Sequence, residues 1–319
     1  MLRLALVGAG IMGAHHARVA AGLPGVELVM VADPDAERGG RLAASAGAEY
    51  TPDYGDVVGR ADAAVVAAPS ELHARIGTEL LGAGLDVLVE KPIATTPEDA
   101  KRLIAAAAAA GRILMIGHVE RFNPAVVELP RLVDGLIHVD VRRVGPYGPR
   151  ADADVILDLM IHDLDLLRML TRSEPVRVHA LTRRVCSQTE DFATVMLGFA
   201  DGVTATLTAS QVSQAKQRQI ELTQRDNVVV ADLLLRQVTV HRLQHAEFVD
   251  EDGPRYRQSS VIEIPYLSAP GEPLAHELRH FVECVGTRST PVVSGEDGLA
   301  ALELALRVHA EATREEIHV

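Results

Sequence analysis

The stretch Gly8-Ala9-Gly10-Ile11-Met12-Gly13 decides the fold. It follows the apolar run LRLALV and opens the helical segment IMGAHHARVAAG. A strand, a GxGxxG turn and a helix in this order are typical of a dinucleotide-binding βαβ unit. The first glycine permits a tight turn, the second lets the backbone approach a pyrophosphate, and the third lets the helix pack closely on the strand. The N-terminus of the helix would present free N–H groups to that anion.

Asp33 lies twenty residues beyond Gly13, at the end of a second apolar run, VELVMVAD. A carboxylate in this place accepts hydrogen bonds from the adenosine ribose hydroxyls and repels a 2′-phosphate. We therefore expect NAD rather than NADP as the cofactor. Arg38 and Arg41 follow closely, which leaves some use of NADP open.

Short apolar runs alternate with amphipathic or Ala-rich segments from Leu2 to about His118. This alternation predicts a doubly wound α/β domain with a parallel sheet. Thr96 offers a helix N-cap, and Gly111 closes the Ala-rich helix that follows. The apolar runs are LRLALV, VELVMVAD, AAVVAA, DVLVE and RILMIGH.

The pattern changes after about Asn123. Two helical segments flank a strand and a Gly/Pro-rich loop, and Val/Thr-rich alternation then runs from Val176 to about Ile264. Two helices end the chain. We predict a Rossmann domain over residues 1–120 and an α+β domain over 121–319, built on a large, open and mostly antiparallel sheet. The terminal helix could pack back on the N-terminal domain.

Composition narrows the class of protein. The 319 residues carry a net charge of −13, which argues against nucleic acid or an anionic membrane as a partner. There are only two cysteines, far apart, so neither a disulfide framework nor a CxxC metal site is predicted. No apolar run is long enough to span a bilayer and no signal peptide is recognisable, so we expect a cytoplasmic protein.

The order of three motifs resembles that of the Gfo/Idh/MocA oxidoreductases. They are the GxGxxG turn, Glu90-Lys91-Pro92 at the end of DVLVE, and the pattern DxxxHD at 158–163. The resemblance covers nearly the whole chain. It implies an NAD(P)-dependent enzyme acting on CH–OH groups, with Lys91, Asp158 and His162 as the catalytic group. The cofactor residues that it implies are Gly8, Gly10, Ile11, Met12, Gly13, Asp33, Ala68, Pro69, His73, Glu90 and Lys91.

The three implied catalytic residues suit the oxidation of an alcohol. Asp158 and His162 are four residues apart, so one helical face presents both. An imidazole is suited to removing the hydroxyl proton as hydride leaves the carbon. Lys91 lies at the carboxyl end of a parallel strand, where its ammonium can stabilise the substrate oxygen. Which of Lys91 and His162 accepts the proton stays open, and Asp163 and Asp165 could cap the helix, pair with Arg168 or support the site.

The segments GHVERFNPAV and RRVGPYGPR resemble the branch of the family that oxidises nucleotide sugars, in particular UDP-N-acetylglucosamine 3-dehydrogenases. The guanidinium groups of Arg121, Arg142, Arg143 and Arg150 are suited to binding a diphosphate. Tyr147 could stack on a base or sugar. The arginines could equally pair with surface carboxylates. Reduction of a ketosugar, oxidation of a free sugar or inositol, and a non-catalytic NAD(P) sensor are the alternatives. The substrate-binding candidates are His118, Arg121, Asn123, Arg143, Tyr147, Arg150 and His162, with Arg142 beside them.

The segment His276-Glu277-Leu278-Arg279-His280 fits the HExxH pattern of zinc peptidases. No third ligand follows at a recognised spacing, so we expect no metal there. We expect an apolar stripe of Leu274, Leu278, Phe281, Val282 and Val285, with Glu277 on another face. We also expect a dimer or tetramer formed through the open face of the C-terminal sheet.

Overall fold

The computed structural model describes residues 1–148, 154–250, 253–268 and 270–314, with only the backbone at 245–250, 253–256, 313 and 314. The chain forms two compact units. The first comprises Met1–Phe122 and Gly271–Leu304, and the second comprises Asn123–Pro270 and the segment that begins at Ala305. The helix that carries HELRH therefore belongs to the first unit.

The first unit contains a six-stranded parallel sheet of order β3-β2-β1-β4-β5-β6. Its strands are β1 (Leu2–Val7), β2 (Val26–Ala32), β3 (Glu49–Thr51), β4 (Ala63–Val66), β5 (Asp86–Glu90) and β6 (Leu114–Gly117). Its helices are α1 (Ile11–Ala21), α2 (Ala36–Ala46), α3 (Ser70–Gly82), α4 (Pro97–Ala110), two 3₁₀ turns (Tyr54–Val57 and Val119–Phe122) and, later in the chain, α7 (Pro273–Thr287) and the start of α8 (Gly295–Arg314).

The sequence explains these elements locally. Every residue of β4 and β5 is buried, as in a parallel sheet covered on both faces. The Asp35 carboxylate accepts the N–H groups of Glu37 and Arg38 at the start of α2. The strand order reverses between β1 and β4, and ligands of such sheets bind at the carboxyl ends of the strands beside this point. The Rossmann fold expected for the N-terminal part is confirmed.

The second unit contains an eight-stranded sheet of order β14-β13-β12-β11-β7-β10-β9-β8, in which only β7 and β10 pair in parallel. The predicted mostly antiparallel sheet is confirmed. Its strands are β7 (Leu136–Val144), β8 (Pro175–Arg183), β9 (Phe192–Phe199), β10 (Thr204–Ser210), β11 (Gln217–Gln224), β12 (Val228–Asp232), β13 (Gln237–Asp250) and β14 (Gly253–Glu263). Its helices are α5 (Pro124–Leu132), a π-helical turn (Ile156–Met160) and α6 (Ile161–Thr171).

The central strands of this sheet bury one face. In β9 and β10, Val195, Leu197, Ala205 and Leu207 are buried, whereas Met196 on the other face is 57% exposed. Alternate burial of this kind is typical of an antiparallel sheet with one open face. Association of copies through that face stays a prediction.

Helix α7 differs from its predicted stripe. Its buried residues are Leu274, Glu277, Leu278, Phe281 and Cys284, and Val282 and Val285 are only half-buried. The expectation that Glu277 lies outside the buried stripe is therefore wrong, because the helix buries positions 274, 277, 278, 281 and 284, which share one side. Among the described helices, none is both long and apolar enough to cross a membrane.

Candidate active site

The glycine turn after β1 has the geometry that a dinucleotide requires. Gly8 has φ +100°, and a Cβ there would lie 2.5 Å from the Ala67 carbonyl oxygen. A Cβ on Gly13 would lie 2.0 Å from the Gly8 carbonyl oxygen, so only glycine lets α1 pack this closely. A Cβ on Gly10 would meet nothing within 4 Å. The backbone at Gly10 is thus open to a pyrophosphate, and the half-buried Met12 and the 55% exposed Ile11 follow it on α1.

Asp33 is fixed beside this turn. Its Oδ2 accepts the N–H of Ala9 at 2.6 Å, and its Oδ1 accepts the N–H of Asp35 at 2.9 Å and an Arg38 N–H at 2.8 Å. Burial acts to raise the pKa of Asp33, but the hydrogen bonds from Arg38, Ala9 and Asp35 outweigh it and the pKa falls below its ordinary value. An ionised, oriented carboxylate at the end of β2 fits ribose hydroxyls as donors.

Three further candidates for the cofactor site lie after β4. Ala68 is half-buried, and Pro69 is exposed at the start of α3. The buried ring of His73 reaches two backbone carbonyls, with Nε2 at 2.8 Å from the Ala68 oxygen and Nδ1 at 2.8 Å from the Pro92 oxygen. The ring thereby ties the loop after β4 to the loop after β5.

Glu90 and Lys91 end β5. Glu90 is 5% exposed, and its Oε1 lies 2.7 Å from Nε2 of the buried His16 of α1. The backbone N–H of Lys91 donates to Oε2 of Glu90 at 3.3 Å, and the Lys91–Pro92 peptide bond is cis. Lys91 itself is half-buried.

The segment after β6 is largely buried. His118 is 1% exposed. Arg121 donates to the Asp297 carboxylate at 3.3 Å and to the Val292 carbonyl at 3.4 Å. Asn123 caps α5 through Ala125 and donates to the carbonyl oxygen of Leu233 at 3.0 Å. These contacts support the fold, so substrate contacts by the three predicted residues stay predictions.

Asp158 and His162 lie at the junction of two helical windings. Asp158 is in the π-helical turn, and His162 is in the first turn of α6, which continues it directly. Both side chains are half-buried. Single π turns within helices are frequent at functional sites. The turn begins where the Asp154 carboxylate accepts the N–H groups of Ile156 and Leu157.

Arg143 forms a buried ion pair with Asp163. Its Nε and Nη2 donate to the Asp163 carboxylate at 2.7–2.9 Å, and both residues are at most 3% exposed. Asp163 does not pair with Arg168, which was one of the alternatives left open by the sequence, because Arg168 pairs with Glu174. Tyr147 is 47% exposed and donates to the Cys186 carbonyl oxygen at 3.2 Å. Arg150 lies outside the described residues.

A pocket of about 280 Å³ opens beside Asp158 within the second unit. Strand β11 pairs with β7 so that Arg218 lies opposite Arg143, and opposed residues share a face of the sheet. Lys216, two residues before Arg218, also lines the pocket. The sequence reasoning missed Lys216 and Arg218. The remaining lining residues are Val144, Gly145, Pro146, Gly148, Leu159, Ser210 and Gln211.

Comparison with known proteins gives the class. Residues 2–118 match the family described as "Oxidoreductase family, NAD-binding Rossmann fold", and residues 135–228 match the GFO/IDH/MocA C-terminal domain. The chain belongs to the Gfo/Idh/MocA family of oxidoreductases, and it is an enzyme with an NAD-binding Rossmann domain. The resemblance found in the sequence motifs is thus confirmed.

Individual relatives differ in what they act on. A UDP-N-acetylglucosamine 3-dehydrogenase from Acidithiobacillus ferrooxidans is 30% identical over 309 residues, 96% of each chain. Its solved structure superposes with a TM-score of 0.86 at 29% identity and covers 98% of both chains. Inositol 2-dehydrogenase 1 from Saccharopolyspora erythraea is 34% identical over 223 residues, which are 64% of this chain and 65% of that protein. A solved structure of GenD2 from gentamicin A biosynthesis, in complex with NAD, has a TM-score of 0.82 at 26% identity and covers 98% and 94% of the two chains.

We predict that Asp33→Asn weakens NAD binding, because the amide loses the charge that strengthens hydrogen bonds to ribose. Such bonds contribute about 1.5–3 kcal/mol, so the Kd for NAD should rise about 10- to 100-fold. The ratio of the Kd for NADP to the Kd for NAD should become smaller as well. Isothermal titration with both cofactors measures this, with Glu37→Gln on the exposed side of α2 as the control. An unchanged Kd for NAD in Asp33→Asn would contradict the assignment.

We predict that Asp163→Asn lowers the free energy of unfolding by about 3–5 kcal/mol, because it leaves the buried Arg143 without its counter-charge. The matched control is Glu174→Gln, which breaks the more exposed pair with Arg168 and should cost less than about 1 kcal/mol. Urea unfolding of both variants gives the comparison. Equal losses in the two would show that the buried pair contributes no more than the exposed one.

Proposed function

We propose that the enzyme oxidises a sugar hydroxyl of a nucleotide sugar with NAD, and that the substrate is a UDP-N-acetylhexosamine oxidised at C3. The product is the corresponding 3-keto sugar. The observation that carries the nucleotide-sugar assignment is the basic pocket beside Asp158. The similarity to a UDP-N-acetylglucosamine 3-dehydrogenase over 96% of the chain supports it.

The pocket has a charge pattern that suits a diphosphate. Arg143 and Arg218 are opposed across two strands, and placing like charges opposite each other is unfavourable unless something compensates them. The Asp163 carboxylate compensates Arg143. Lys216 and Arg218 add two more cations to a lining whose carboxylate is Asp158. A sheet face of this kind provides donors to phosphate oxygens in a protein whose overall charge would repel an anion.

The chemistry needs a proton acceptor and a group that stabilises the substrate oxygen. When bound, NAD accepts the hydride at its nicotinamide ring. In this proposal His162 accepts the proton of the reacting hydroxyl, and the Lys91 ammonium stabilises the oxygen from which the proton leaves. Asp158 shares the helical face of His162 and orients the imidazole. Glu90 and His73 hold the two ends of the Lys91–Pro92 segment through the contacts given above.

The first test is NADH formation at 340 nm with NAD and a panel of UDP-GlcNAc, UDP-GlcNAcA, UDP-glucose, myo-inositol and glucose. Turnover should be confined to UDP sugars. Lys91→Ala and His162→Ala should each lower kcat by about 10²- to 10⁴-fold, because each removes a group that acts on the reacting oxygen or its proton. Lys101→Ala, an exposed lysine of the same unit, is the control. Turnover with myo-inositol alone would favour the inositol dehydrogenases among the relatives, and NAD binding without any turnover would favour a sensor.

The second test addresses the pocket. Lys216→Gln and Arg218→Gln together should raise the KM for the UDP sugar about tenfold or more, since each removes a charged donor to phosphate. The kcat and the KM for NAD should stay within about twofold. Inhibition by free UDP should weaken in parallel. Arg225→Gln, which changes an exposed arginine directly after the far end of β11, is the matched control. An unchanged KM in the double variant would show that Lys216 and Arg218 do not bind the diphosphate.

A further inference from the structure

Three buried titratable side chains meet within the first unit. They are His16 of α1, Glu90 at the end of β5 and Glu277 of α7. One nitrogen or oxygen of each lies within 4.8 Å of the others. Their exposures are 1%, 5% and 0%, so bulk water solvates none of them.

Glu277 is the unusual member of this cluster. Neither of its carboxylate oxygens has a hydrogen-bond donor among the described residues. An ionised carboxylate in that position would be a buried charge without hydrogen bonds, which native proteins avoid. A protonated carboxyl carries no charge and can itself donate to a neighbouring carboxylate.

The neighbours decide which carboxylate holds a proton. Burial, and then the charge of Glu90, raise the pKa of Glu277 well above its ordinary value. Burial acts on Glu90 in the same sense, but the hydrogen bond and charge of His16, with the charges of Lys91 and His73, outweigh it and lower the pKa of Glu90. The two shifts have opposite signs, as expected for two neighbouring buried carboxylates of which only one is ionised.

We propose that Glu277 is an uncharged carboxylic acid in the folded enzyme and that, with Glu90 and His16, it forms a buried triad in which Glu90 alone is an ionised carboxylate, positioned beside Lys91. Glu277 is a positioning residue, since it acts through Glu90. All three residues of the triad belong to the first unit.

A metal ion is the other way to compensate two buried carboxylates, and the geometry argues against it. Ligand atoms around one tetrahedral Zn²⁺ lie about 3.3 Å apart, given bonds of about 2.0–2.1 Å. His16 Nε2 and Glu90 Oε1 are 2.7 Å apart, the distance of a hydrogen bond. In the HELRH segment, His280 Nε2 accepts the N–H of Val292 at 3.0 Å, so this nitrogen is already engaged. The glutamate of HELRH is here a buried acid.

The triad contacts the Lys91 segment directly. Oε2 of Glu90 accepts the backbone N–H of Lys91 at 3.3 Å. A Cβ on Gly117 would lie 3.1 Å from that same Oε2, so the room around the carboxylate is limited. With Glu277 neutral, the two carboxylates together carry one negative charge, which lies on Glu90, and Oε1 of Glu90 is 2.7 Å from Nε2 of His16.

The test is the pH dependence of thermal stability in Glu277→Gln. In the unfolded chain Glu277 loses its proton above about pH 4.5, whereas the folded protein retains it. The folded state thus binds more protons, so this group makes stability fall as pH rises above 4.5 until its folded pKa is reached. Gln does not titrate. The Tm of Glu277→Gln relative to wild type should therefore rise by about 2 °C or more per pH unit between about pH 5 and pH 7.

Glu71→Gln is the matched control, because it makes the same change at an exposed position on α3 of the same unit. Its Tm difference from wild type should be constant with pH. A constant difference for Glu277→Gln as well would overturn the proposal.

Infrared spectroscopy of the wild-type protein keeps the proposal testable even when the variant does not fold. A protonated carboxyl C=O stretch should be present at pH 7, persist in Glu71→Gln and be lost in Glu277→Gln. Its absence from wild type would overturn the proposal. So would one equivalent of divalent metal that copurifies with wild type, resists dialysis against a chelator and is lost in Glu277→Gln.

Discussion

The close approach of Gly13 to the Gly8 carbonyl is the constraint on which the first unit depends. It fixes α1 against β1, because any side chain at position 13 would collide with the turn. Asp33 then locks the turn from β2 through the Ala9 N–H. The same placement of α1 brings His16 to Glu90, at the end of β5. One backbone contact thus sets both the cofactor turn and the surroundings of the Lys91 segment.

In both units, functional or buried charged side chains are paired with side chains of the same unit. Asp33 pairs with Arg38, Glu90 with His16, and Arg143 with Asp163. A charged side chain that is paired in this way is held in one orientation by its partner, and fixed groups of this kind preorganise a site. The proposed proton on Glu277 extends the same rule to a side chain without a donor. The basic pocket differs, because its cations gather on one face of a sheet, an arrangement that suits an anionic ligand.

The features that could be predicted from the sequence are those that depend on local patterns of residues. The glycine turn, Asp33 and the apolar strands follow from spacing and periodicity, so the Rossmann sheet was predictable. The three-residue strand β3 (Glu49–Thr51) was missed, because it is too short to give a periodic signal. Arg218 was missed because only the pairing of β11 with β7, some 75 residues apart in the chain, brings it to Arg143.

Other residues show why chemistry alone misleads. Four arginines were grouped as one phosphate site, yet Arg143 is buried on Asp163 while the neighbouring Arg142 is exposed, since adjacent residues of a strand face opposite ways. Arg121 finds Asp297, 176 residues later. Glu277 was expected outside the apolar stripe because a carboxylate is rarely buried, and only the packing of α1 and β5 residues around it gives a reason for its burial.

Oxidation at C3 is tested most directly by following the hydride. UDP-N-acetylglucosamine carrying deuterium only at C3 would be incubated with NAD and enzyme, and the reduced cofactor analysed by mass spectrometry. We expect one deuterium to appear in the nicotinamide ring and kcat/KM to show a primary isotope effect when chemistry limits the rate. Reduced cofactor formed from this substrate without deuterium would mean that hydride leaves another carbon, and it would contradict oxidation at C3.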